Sequence, residues 1–121
     1  MIRSTLKMLA LLASFSFVAA CGGDDGGGLD CEDPATVTAS MRGAMLISSS
    51  CQSCHASSVP VADRGGAPEN ITFDDAADIT ANEARIRARA IDKDPAAMPP
   101  PAAGTLSAAQ ISDLETYLDC R

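Results

Sequence analysis

Tryptophan is absent, and all aromatic residues together make up only 3% of the 121-residue chain. A chain of this length forms one small domain with a limited core. With 46% hydrophobic residues and so few rings, that core must be largely aliphatic. Histidine occurs once, as His55. A zinc centre needs four ligands, so it would have to recruit Cys31 and Cys120, or a carboxylate, to that single imidazole. Basic residues are also scarce: 9 Lys and Arg face 16 Asp and Glu, a formal charge of −7. Two of the nine, Arg3 and Lys7, lie near the N-terminus; without them 7 basic residues face 16 acidic ones, a balance of −9. Such an acidic chain is a poor partner for nucleic acid or anionic lipid and suits a basic docking partner. The apolar run over residues 8–20 is too short to span a bilayer comfortably.

That run follows Arg3 and Lys7 and ends in small residues, the organisation of a secretory signal peptide over residues 1–20. Val18-Ala19-Ala20-Cys21 resembles a bacterial lipobox, in which Cys21 becomes the lipidated first residue of the mature protein. The alternative is an ordinary cleaved signal peptide with Cys21 free. Residues 21–30 are rich in Gly and Asp and read as a flexible tether, residues 22–28 carrying no side chains suited to packing. No Asp directly follows Cys21. By resemblance to sorted lipoproteins this favours a periplasm-facing outer-membrane anchor in a Gram-negative cell envelope. The folded part is expected over residues 31–121.

Within it, Cys51-Gln52-Ser53-Cys54-His55 forms a C-x-x-C-H run. The pattern is that of covalent haem c attachment. Two thiols must reach two vinyl groups on one porphyrin edge, and the imidazole directly after the second thiol supplies an axial nitrogen to iron. A haem is itself a large apolar body, which helps account for so few aromatics. With Cys21 assigned to lipid and Cys51 and Cys54 to haem, Cys31 and Cys120 remain. An even remainder in an oxidising compartment suggests a disulfide; two free thiols are the alternative. Met98 stands in Met98-Pro99-Pro100-Pro101, with no helical stripe to join. A thioether is a soft ligand for low-spin iron, and His/Met ligation raises the reduction potential. The same methionine could instead fill a gap in a loop.

The surrounding pattern is helical. Asp33 and Pro34 form a start signal for a helix over residues 35–50, whose Val37, Met41, Ala44, Met45 and Ile47 predict a core-facing stripe. Residues 56–70, with Pro60, Gly65, Gly66 and Pro68, predict a loop along one side of the pocket. Ile71 and Phe73 are the apolar residues placed to line that pocket. Asp74 and Asp75 predict a short turn, and Thr80-Ala81-Asn82-Glu83 a capping box opening a helix to about residue 91. There Ile86, Ala90 and Ile91 face inward, Glu83 pairs with Arg87, and Arg85, Arg87 and Arg89 read as a solvated face, contact of one or two of them with the haem propionates being the alternative. Ser107-Ala108-Ala109-Gln110 is a second capping box, opening a last helix with Ile111, Leu114 and Leu118 inward.

The order of helix, C-x-x-C-H, loop, helix, Met-Pro loop and final helix resembles the class I c-type cytochromes over about residues 36–118. That resemblance implies an all-α fold of three main helices around one covalent haem, the first and last helices crossing. Gly43 against Tyr117 is similar to the family's close contact at that crossing. The crossing would bring Cys31 and Cys120 near each other, which favours the disulfide. The chain departs from the family where an aromatic often replaces Ile47, and in lacking an early Gly-Pro after His55. The second departure leaves the partner of the His55 ring nitrogen unassigned. The implied function is a lipid-anchored electron carrier, not an enzyme, serving unidentified redox partner proteins. A haem-based gas sensor in which Met98 dissociates, and a haem-free structural lipoprotein, are the alternatives.

Overall fold

The computed structural model describes residues 28–94 and 96–121. The expected leader, Cys21 and most of the tether lie outside them. The described residues form four α-helices and no strand: α1 (Pro34–Leu46), α2 (Gln52–His55), α3 (Ala76–Ile86) and α4 (Ala108–Asp119). Two π turns, Ile47–Cys51 and Arg87–Ile91, continue α1 and α3. Among the described residues no helix is long and apolar enough to cross a membrane.

The helix starts follow side-chain chemistry. The Asp33 carboxylate accepts from the Ala35 and Thr36 amides, with Pro34 opening α1. Ser107 and Gln110 form the reciprocal capping box at α4. At α3 the start differs from the sequence expectation. Asp75 accepts from the Ala77 and Asp78 amides, so the helix begins one turn earlier and absorbs the expected short turn. Thr80 is therefore internal, its hydroxyl bonded back to the Ala76 carbonyl at 2.8 Å. An upstream carboxylate cap outcompetes the later Thr-x-x-Glu signal.

The core holds Leu46, Ile47, Ile79, Ile86, Leu114 and Leu118, with Leu114 fully enclosed. Of the stripe expected on α1 only Ile47 joins the core: Val37, Met41 and Met45 are 41%, 62% and 65% exposed. The helix is rotated so that Gly43 and Leu46 face inward beside Ile47. A β-carbon added at Gly43 would lie 2.6 Å from the Tyr117 β-carbon and closer still to the Asp113 carbonyl oxygen. Close backbone approach to α4 is available only on the glycine face, and that geometry outweighs the burial of flexible methionines.

Arg42 clamps the same contact from outside, donating through Nη2 and Nε of one guanidinium edge to the two Asp113 oxygens at 2.6 and 2.7 Å. This hydrogen bond, helped by the Arg42 charge and opposed by partial desolvation, holds the Asp113 carboxyl below its ordinary 3.8. A carboxylate depressed in the folded state stabilises above its unfolded pKa and loses that contribution as pH falls through its folded value. The melting temperature of the wild type is therefore expected to fall faster than that of Asp113→Asn below about pH 4 at low salt. Parallel pH profiles would show that the pair contributes nothing.

At the other end of α4, Cys31 and Cys120 are joined by a disulfide, with Cα atoms 5.4 Å apart. Beyond it Arg121 donates to the Thr80 hydroxyl and the Glu83 carboxylate, and Arg87 bridges Glu83 and Asp119. Arg87 and Arg89 are thus half-buried and bonded rather than simply solvated; Arg85 is exposed as expected.

Candidate haem-attachment site

The π turn Ile47–Cys51 passes directly into α2, which carries Cys54 and His55. Helical backbone throughout places both thiols and the imidazole on one continuous element, and π turns concentrate at functional sites because they re-aim side chains. Cys51 and Cys54 are free thiols, both half-buried. Burial, with Cys54 nearby, pushes the Cys51 thiol up to about 11.

His55 is oriented by two contacts. Its Nδ1 lies 2.9 Å from the Ile71 carbonyl oxygen. A carbonyl can only accept, so Nδ1 is the protonated donor of this bond, and Nε2 is the ring nitrogen left to face a ligand. The Phe73 ring stacks on the imidazole, with centroids 4.5 Å apart and planes inclined by 23°. The strand-like segment carrying both groups is fastened in turn. The Phe73 amide donates to the His55 carbonyl at 2.8 Å, and the Gln52 side chain donates to the Phe73 carbonyl at 2.6 Å. The ring-nitrogen partner that the sequence left unassigned is therefore Ile71, acting through its carbonyl, while its side chain packs against the core.

The loop 56–70 is organised by a residue that sequence reasoning passed over. Arg64 is 3% exposed, and its guanidinium donates to the carbonyls of Ala56, Val59, Pro68 and Glu69. A planar fork with five donors can satisfy several loop carbonyls at once. A lone Arg inside a Pro- and Gly-rich loop of an acidic chain was the available signal. The loop passes beside the second thiol: a β-carbon at Gly65 would lie 3.7 Å from the Cys54 sulfur. Met98 is half-buried on the segment after the second π turn, its amide donating to the Arg89 carbonyl at 2.8 Å. A surface groove of about 250 Å³ is lined by Arg42, Met45, Leu46, Ser49, Gln110 and Asp113, and contains none of these groups.

Free paired thiols followed by an imidazole with its outer nitrogen engaged form a donor set that fits covalent haem: two sulfurs for thioether bonds and one ring nitrogen for iron. The class of protein is a c-type cytochrome domain. A family model described as cytochrome C oxidase, cbb3-type, subunit III matches residues 38–118, and the chain belongs to this family. The match spans C-x-x-C-H, Met98 and nearly all of α4, and stops short of both Cys31 and Cys120. Membership makes this an electron-transfer haem protein with covalently bound haem c, of the bacterial cell envelope. No curated protein and no solved structure matches the chain.

Proposed function

We propose that the protein is a mono-haem cytochrome c, lipid-anchored at Cys21 and facing the periplasm from the outer membrane, that passes single electrons through an iron held by His55 and Met98. The observation that carries the reading is the His55 Nδ1 bond to the Ile71 carbonyl beside two free thiols. When bound, the haem supplies a one-electron iron couple. Cys51 and Cys54 fasten it covalently. His55 presents Nε2 at a fixed tautomer and orientation. Phe73 and the Arg64-organised loop keep water from the proximal side. Met98 offers a thioether from a segment stiffened by three prolines. With His55 and Met98 both holding the iron, no position would remain for a substrate, and the partners would be other redox proteins, docked to an acidic surface, rather than nucleic acid.

Under this reading residues 1–20 are a cleaved leader, residues 21–30 a tether and residues 31–121 the haem domain. Visible spectra of the purified mature protein, with and without reductant and carbon monoxide, test it. Met98→Ala is expected to retain covalent haem, lower the potential and admit carbon monoxide, since the soft ligand is gone. A variant that matches wild type in spectrum and carbon monoxide reactivity would rule out Met98 as ligand and return the gas-sensing alternative to consideration only if the wild type itself binds carbon monoxide. Cys21→Ser is expected to release the protein from the membrane fraction or block processing. Normal cleavage with unchanged membrane retention would rule out lipidation there.

A further inference from the structure

A helix ends with carbonyls that lack intrahelical partners. At the π turn Arg87–Ile91 these carbonyls are taken up by the chain that follows. The Asp92 amide donates to Arg87, the Asp94 amide to Ala88, and the Met98 amide to Arg89, at 3.0, 2.8 and 2.8 Å. Lys93 makes the reversal with φ of 60°, the left-handed geometry common just past a helix end. Arg89 then does something its neighbours do not. Its side chain turns onto the same segment, and Nε donates to the Ala96 carbonyl at 2.7 Å. One residue thus grips residues 96 and 98 from its two ends, through its backbone oxygen and its guanidinium.

We propose that Arg89 is a positioning residue for Met98, a two-point clip that fixes the thioether-bearing segment against the end of the second π turn. The clip rests on the reading of Met98 as an iron ligand. The prolines at 99–101 restrict the backbone angles of their own segment. They do not tie that segment to a helix, and Arg89 does. A ligand whose two preceding peptides are held loses little further freedom when its sulfur meets iron, so the ligated state is favoured over dissociation. Removing the guanidinium leaves the carbonyl arm in place. The segment is therefore loosened rather than released.

The test uses the holoprotein and the variants Arg89→Ala, Arg89→Lys, Met98→Ala and, as a control on an exposed residue of the same helix, Arg85→Ala. Arg89→Ala is expected to keep covalent haem and helical content, to weaken the thioether-to-ferric-iron charge-transfer band, to lower the midpoint potential and to bind carbon monoxide faster. Amide exchange over residues 96–98 is expected to speed by roughly tenfold as the local opening becomes easier. Arg89→Lys, whose ammonium can still donate to the Ala96 carbonyl, is expected to recover part of the band, and Arg85→Ala all of it. Wild-type band, potential and carbon monoxide binding in Arg89→Ala, with Met98→Ala altered in all three, would overturn the clip while leaving ligation intact. If Met98→Ala also matches wild type, the ligation reading falls and the clip's role falls with it. Should Arg89→Ala fail to fold, the same comparison is made between Arg89→Lys and Arg89→Met, which has no donor, and equal loss in both would overturn a role for the donated hydrogen bond.

Discussion

A Cys31→Ser, Cys120→Ser double variant is expected to lose about 4 kcal/mol of stability and to melt on the order of 20 °C lower. The bridge closes a loop across a sequence separation of 89 residues, nearly the whole described domain. In chain-entropy terms, closing a loop of that size removes about 4–5 kcal/mol of freedom from the unfolded ensemble. Covalent haem constrains the same ensemble and pulls the value toward the lower figure. The bridge also ties the segment before α1 to the end of α4, where the chain would otherwise fray. The Arg121 contacts to Thr80 and Glu83 lie one residue beyond Cys120 and should weaken with it. Thermal denaturation of oxidised wild type and the double variant measures the effect. A difference of only a degree or two, or two alkylatable thiols in native mature protein, would show that the bridge does not form or does not matter.

Gly43→Ala is expected to destabilise by about 3 kcal/mol, at the upper end of overpacking costs. The sign is the informative part. In an exposed helix interior the same change ordinarily stabilises by about 0.5–1 kcal/mol, because alanine loses less backbone freedom. Here the new methyl would meet the Tyr117 β-carbon at 2.6 Å and the Asp113 backbone carbonyl closer still. Neither atom is the end of a flexible side chain, so α1 and α4 must separate. Separation opens the packing around Leu114, the most enclosed side chain of the core. Shortening Tyr117 to alanine retains its β-carbon and so should not rescue the variant. Urea denaturation of Gly43→Ala, alone and with Tyr117→Ala, reads both outcomes. A stabilised Gly43→Ala would mean that the helices sit farther apart than described.

How much of this was legible in advance depended on the range of the interaction. C-x-x-C-H is a local chemical pattern, and so are the Asp33-Pro34 start, the Ser107–Gln110 box and the Glu83–Arg87 pair. Each is determined by residues within one helical turn; the structure shows the start, the box and the ion pair as expected and sets Cys51, Cys54 and His55 on one helical element. The family match over residues 38–118 agrees with the order of motifs along the chain. The errors fell where two local signals competed or where a distant element decided. Asp75 overrode Thr80 because both can cap, and the earlier cap captures the helix first. Val37, Met41 and Met45 formed a plausible stripe by period alone. Whether a stripe is buried depends on which face a second helix can approach, and Gly43 made that choice.

The sequence by itself determined the haem-attachment pattern of Cys51, Cys54 and His55, because it follows from residue type at short fixed spacing; the all-α class and Met98 as candidate ligand came from the order of motifs and its resemblance to c-type cytochromes. Tertiary structure alone decided three things. It gave His55 its Nδ1 partner, since a carbonyl sixteen residues away carries no sequence signal. It buried Arg64 among loop carbonyls, a role open to any residue with enough donors and only visible once the loop is folded. It turned Arg89 from a surface charge into a clip on the Met98 segment, because a guanidinium finds its acceptor through space and not through period.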